Sequence, residues 1–146
     1  MFSYWLGLVV KKDIRNVGDG NPGAFNLWHA AGYKLGILGV FLDFMKGYLP
    51  LAVLIERGFI SEMEIIPVGL AAILGHAFSP FMRFKGGKGI AATGGVMLAF
   101  DWRLCIVALT IFLIAVAITK YVSVGSLLLA LLFPIWILFL YPGNIH

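Results

Sequence analysis

Apolar residues in this chain run in long blocks, and the breaks between blocks carry nearly all of the charge. Leu35 to Ile55 is long enough to cross a bilayer, interrupted only by Asp43 and Lys46; a helical span needs about 20 such residues. Further blocks run from Ile65 to Phe78, Ile90 to Phe100, Trp102 to Thr119 and Val122 to Tyr141. Backbone polar groups find no partners in hydrocarbon, so these blocks are expected as helices rather than strands. Pro67 suits a first helical turn, and Glu56 to Glu64 reads as a short acidic loop. Ile90 to Phe100 is short, either a tilted helix or a re-entrant piece. The opening MFSYWLGLVV is apolar but too short to span, and it lacks the features of a signal peptide. It is expected to be the tail end of a membrane helix. The expected fold is an all-α integral membrane protein, a bundle of about five membrane-embedded helices plus an N-terminal helix stub, in a single domain over residues 1–146.

Composition supports that reading. The chain is 61% hydrophobic and 12% charged, where a soluble domain carries about a quarter charged residues. The lone cysteine, Cys105, excludes a disulfide framework, and no cluster has metal-ligand spacing, so neither a metal nor a cofactor is expected. The net charge of +4 is unevenly spread. If the blocks alternate across the membrane, one face receives Lys11, Lys12, Arg15, Lys34, Arg83, Lys85, Lys88 and Lys120, and the other only Arg57 and Arg103. The basic face is expected in the cytoplasm, with the chain crossing the membrane several times. Three polar segments then meet there: Asp13 to His29, Gly75 to Gly89, and Lys120 to Ser126.

The second of these carries the strongest chemistry. Phe84-Lys85-Gly86-Gly87-Lys88-Gly89 leads into an apolar helix that contains Thr93. Helix-start amides and lysines beside flexible glycines suit a phosphate. The spacing is not that of a P-loop. A flexible basic anchor is the blander reading, but an anchor needs no glycines. His76 is open to three roles: general base, phosphate hydrogen-bond donor, or helix cap. In the first segment, Gly18, Gly20, Asn21, Pro22, Gly23 and Asn26 make a helix unexpected. They form either a loop that holds an anion or hydroxyls, or an ordinary turn-rich connector. Asp43 and Lys46, three apart, suit a pair on a face turned toward the bundle, or place Lys46 to attract phosphate. Ser123 and Ser126 share one face at the start of the last block, as packing residues or as hydroxyl donors.

Together these segments resemble the bacterial membrane glycerol-3-phosphate acyltransferases that use acyl phosphate. Gly18-Asp19-Gly20-Asn21-Pro22-Gly23-Ala24-Phe25-Asn26 resembles the first family motif, Gly75 to Thr93 the second, and Val122 to Ser126 the third. An Asp-x-x-Lys-Gly run resembles Asp43, Lys46 and Gly47. Asp19, Phe25 and His29 stand where the family usually has serine, threonine and arginine. The family has about seven spans and a last His-Arg-x-Asn-Ile motif, whereas this chain stops at Tyr141 to His146, so the resemblance implies a relative truncated at both ends.

The resemblance implies acyl transfer from acyl phosphate to the 1-hydroxyl of glycerol 3-phosphate, with lysophosphatidic acid and phosphate as products. His76 and Lys88 are then the candidate catalytic residues. Asn21, Gly23, Asn26, Lys46, Lys85, Gly86, Gly87, Gly89, Thr93, Ser123 and Ser126 are candidates for holding phosphate or substrate, with Asp19 and Asp43 as further contacts. The partners expected are the two substrates and membrane lipid, without nucleic acid. The alternatives are an anion transporter or channel subunit and a non-catalytic relative.

Overall fold

The computed structural model describes residues 1–140, with side chains described for 1–132. Among the described residues, seven α-helices occur in order: α1 (Phe2–Val9), α2 (Ala24–Ala31), α3 (Tyr33–Glu56), α4 (Glu62–Ala77), α5 (Ile90–Phe100), α6 (Trp102–Thr119) and α7 (Val122–Leu140). Short 3-10 turns at Ile14–Asn16 and Pro80–Met82 sit in the connecting loops. Among the described residues, three segments are long and apolar enough to cross a membrane: Tyr33–Glu56, Glu62–Met82 and Trp102–Thr119. On α6, Ile106, Leu109, Leu113 and Ile114 are all more than half exposed. Such a surface is stable against lipid tails and costly in water.

Three sequence expectations need correction. The stretch to His29 is not helix-free: α2 starts at Ala24, immediately after Gly23, because the turn-forming residues end there. The acidic loop is shorter than expected, because Ser61 and Glu64 form a capping box and draw Glu62 and Glu64 into the first turn of α4. A Ser-x-x-Glu spacing before an apolar run is the readable signal for that start. Pro67 consequently lies inside α4 rather than in its first turn.

The chain forms two compact units, Met1–Phe100 and the residues from Asp101 on. In the first, α3 is the central element. Glycines let other helices approach its backbone: a Cβ on Gly36 would overlap Trp28 of α2, and one on Gly39 would lie 2.8 Å from the Ser3 hydroxyl of α1. A Cβ on Gly95 of α5 would lie 2.8 Å from the Tyr48 amide of α3, and Gly47 faces the Ala92 backbone in return. Two helices meeting through small residues on both sides is the expected device where lipid supplies no hydrophobic drive between them. Ile14 and Leu27, both fully buried, fill the space under the first loop. In the second unit, α6 packs against α7, with Gly125 seated against Phe112 and Val116.

Asp43 is the buried polar anchor of the first unit, at 2% exposure. Its carboxylate accepts from the Phe2 amide at 3.2 Å, from the Ser3 hydroxyl at 2.5 Å, and from Lys46 Nζ at 2.8 Å. A buried carboxylate must be paired. Here it ties the start of α1 to the middle of α3, and Lys46 also lies over the Phe2 ring, 5.9 Å from its centroid.

Candidate functional site

The site is built from two loops of the first unit. The earlier loop begins where Asp13 caps the Ile14–Asn16 turn by accepting from the Arg15 amide at 3.0 Å. The Arg15 side chain on the same carboxylate holds its pKa down to about 2. Gly18 and Gly20 then take left-handed backbone, φ 59° and 72°, which turns the chain tightly on either side of Asp19. Asn26, in the first turn of α2 and 1% exposed, organises the rest of the loop. Its amide nitrogen donates to the Val17 carbonyl at 2.7 Å, the Asn21 carbonyl at 2.9 Å and Asp19 Oδ1 at 3.0 Å. Asn26 therefore holds the loop in shape, and its NH2 group is committed there.

The later loop folds back on the end of α4. Ser79 O accepts from the amides of Met82 and Phe84, both at 3.0 Å, and Arg83 and Phe84 adopt left-handed φ of 52° and 62°. Consecutive non-glycine residues in that region carry strain, and surrounding contacts must hold them there. Gly86 then donates its amide to the Ala77 carbonyl at 2.9 Å. A Cβ on Gly86 would come within 2.5 Å of that carbonyl oxygen and closer still to the His76 carbonyl. The Gly86 amide is thus spent within the protein, and the lack of a side chain permits the close backbone approach. Gly87 and Gly89 are buried, and Gly89 has φ 76° with its carbonyl accepting from Thr93 at 2.8 Å. That places Thr93 in the first turn of α5, whose leading amides have no carbonyl within the helix to bond.

The two loops meet. Lys88 Nζ donates to Asp19 Oδ2 at 2.6 Å, bridging positions 69 apart in sequence. A Cβ on Gly87 would face Met1, His76 Nε2 at 3.0 Å and Asn21 Oδ1 at 3.4 Å. Asp19, Asn21, Gly87, Lys88 and His76 thus come together, with Asn26 and Gly86 supporting them. Gly23 precedes α2, and its amide donates to the Asn21 carbonyl at 2.8 Å. His76 is 7% exposed, and its Nδ1 is buried with no hydrogen-bond partner among the described residues. Lys85 is exposed beside the site, its amide donating to Met82. Lys46 Nζ pairs with Asp43 at 2.8 Å. Ser123 and Ser126 lie at the start of α7 in the second unit, where the Ser126 hydroxyl donates to the Ser123 carbonyl at 2.9 Å. His29 stacks edge-on against Phe25 with ring centroids 4.6 Å apart.

The Lys88 hydrogen bond is the largest influence on Asp19, and with the Asn21 amide it lowers the carboxyl's pKa despite partial burial. A pKa lowered on folding stabilises above the ordinary carboxylate range, and the contribution is lost as pH falls through the folded value. The pair is half exposed, so its worth is at most about 1 kcal/mol. The stability gap between the native chain and Asp19→Asn is expected to narrow as pH drops below about 4, read as melting temperature in detergent at a series of pH values. A gap that stays constant to about pH 3 or widens counts against the loop-to-loop bond.

Similarity to known proteins extends over this whole arrangement. The family model described as glycerol-3-phosphate acyltransferase matches residues 1–146. The glycerol-3-phosphate acyltransferase of Trichlorobacter lovleyi is 43% identical over 134 residues, covering 92% of this chain and 69% of that protein. That of Fusobacterium nucleatum is 38% identical over 141 residues, covering 96% and 72%. The crystal structure of PlsY, an integral membrane glycerol 3-phosphate acyltransferase, in its glycerol 3-phosphate form superposes with a TM-score of 0.83 at 35% identity, covering 99% of this chain and 77% of that one. The lysophosphatidic acid form gives 0.79 at 34% identity, covering 99% and 76%. With a match along its full length and these relatives, the chain belongs to the glycerol-3-phosphate acyltransferase family.

Proposed function

We propose that this chain transfers a fatty acyl group from acyl phosphate to the 1-hydroxyl of glycerol 3-phosphate, on the cytoplasmic face of the cell's inner membrane. The observation that carries the reading is the meeting of Lys88 and Gly87 with Asp19 and Asn21, which brings the lysine-and-glycine loop against the polar residues of the earlier loop. Family membership supports the reaction, and the bias of basic residues toward the loops that carry the site supports the orientation.

The chemistry asks little of the protein beyond placement. The acceptor hydroxyl oxygen attacks the acyl carbonyl carbon, and an ester C–O bond forms. The C–O bond to phosphate breaks, the electron pair leaves with phosphate, and the hydroxyl proton ends on it. Phosphate is a good leaving group, so no covalent enzyme intermediate is needed. The obstacle is bringing two anions together in a reactive orientation. Lys88, with Lys85 alongside, neutralises one phosphoryl group, and the first amides of α5 favour negative charge at the same place. Asn21 orients the acceptor. His76 lies beside Gly87, where an imidazole nitrogen can take a proton during attack.

The test is turnover by purified protein in detergent. Acyl phosphate with glycerol 3-phosphate should yield lysophosphatidic acid and inorganic phosphate in equal amounts. Phosphate release without acylated product, or transport of anion into vesicles without turnover, would point to another class of activity.

A further inference from the structure

We propose that Asp19 is an internal stand-in for the substrate's phosphate: it holds the anion position at Lys88 and must be displaced when glycerol 3-phosphate binds. The inference rests on the reading of Lys88 as the phosphate ligand and adds a determinant of affinity that belongs to this chain.

Three donors of different kinds converge on this one carboxylate. Lys88 Nζ reaches Oδ2 at 2.6 Å, while the Asn21 backbone amide at 3.1 Å and the buried Asn26 amide at 3.0 Å both reach Oδ1. An ammonium, a backbone N–H and a side-chain amide around a pair of oxygens is how a protein holds a phosphoryl edge. The left-handed turns at Gly18 and Gly20 wrap the chain around Asp19 and present its side chain to the later loop. Lys88 is the charged group that acts on it, and Asn21 and Asn26 supply its other donors. The side chains of Lys88 and Asp19 are 31% and 49% exposed, so the pair is reachable from outside and can exchange one anion for another. A fixed carboxylate competes with substrate at no cost in translational freedom, so it raises the concentration of glycerol 3-phosphate needed for half-saturation.

Asp19→Asn keeps an oxygen for the Asn21 and Asn26 donors and removes the charge. It is expected to lower KM for glycerol 3-phosphate about twofold to fivefold, the range an exposed ion pair carries. Inorganic phosphate should inhibit that variant more strongly by a similar factor. Asp19→Ser should shift both values the same way, which guards against a folding defect peculiar to one replacement. General repulsion between Asp19 and the substrate would also lower KM, so the decisive arm is the double variant. In a Lys88→Ala background the competition has no object, and adding Asp19→Asn should leave KM unchanged. A KM in the single variants equal to or above the native value overturns the proposal, and so does a fall that persists in the Lys88→Ala background. If Lys88→Ala itself leaves KM at the native value, the phosphate position at Lys88 is wrong as well. If Lys88→Ala raises KM while Asp19→Asn does not lower it, only the stand-in role is lost.

Discussion

Lys88→Ala is expected to lower kcat/KM for glycerol 3-phosphate about tenfold to a hundredfold, the loss of one charge-assisted contact in a reaction that depends on anchoring an anion. Arg57→Ala is expected to change it by less than about twofold. The two residues carry the same charge, so the contrast tests place rather than charge. Arg57 closes α3 at the end opposite Tyr33. A helix of 24 residues is about 36 Å long at about 1.5 Å per residue, well beyond the screening length of about 8 Å at physiological salt. Lys88 meets the Asp19 carboxylate from the other loop, and α1 and α2 seat that loop against the Tyr33 half of α3 through Gly36 and Gly39. Lys88→Arg keeps the charge but replaces a compact ammonium with a planar fork, and should recover only part of the activity. Steady-state rates at varied glycerol 3-phosphate read all three variants. Equal losses in the Lys88 and Arg57 variants would remove the site from this face.

The second large effect is structural in origin. Gly86→Ala is expected to destabilise the protein by about 1–3 kcal/mol, the range for forcing atoms into a filled space, and to abolish most turnover. The added methyl would press on the carbonyls of His76 and Ala77, which are backbone and cannot swing aside. Relief requires the loop to lift from the end of α4, which breaks the Gly86 hydrogen bond to Ala77 and moves Gly87 and Lys88 away from the earlier loop. Gly75, nearby on α4, is the matched control. No atom of the described residues lies within 4 Å of a Cβ placed there, and alanine is the better helix former by about 0.5–1 kcal/mol. Gly75→Ala should therefore melt at or above the native temperature and keep its activity. A Gly86→Ala protein that melts and turns over like the Gly75 variant would show that the loop is not clamped as described.

The helices and the chemistry-bearing segments are visible in the sequence because lipid imposes a simple rule. Blocks from Leu35, Ile65, Ile90, Trp102 and Val122 each form a helix within a few residues of the expected bounds. Charge and glycine beside such blocks stand out, which is why Lys85 to Gly89 can be singled out. The roles of individual glycines are not legible. Gly86 and Gly47 are needed because another backbone passes close by, and that backbone belongs to a distant segment or another helix. Local spacing carries no trace of such an approach. Asn26 stands among loop residues, and only the fold shows that its NH2 group is committed to shaping the loop. The partnership of Asp19 and Lys88 depends on how α1, α2 and α4 assemble around α3, so no pattern along the chain encodes it directly. The start of α2 is hidden because glycine and asparagine crowd up to its first turn. By contrast, the pairing of Asp43 with Lys46 is readable, since three residues apart on a helix already brings them together.

The most direct test is a structure of this protein with glycerol 3-phosphate bound. A phosphate oxygen is expected at about 2.7–2.9 Å from Lys88 Nζ, between the loop carrying Asn21 and the start of α5, with the Asp19 carboxylate turned away. Phosphate bound elsewhere, with the Lys88 to Asp19 contact intact, would contradict the account.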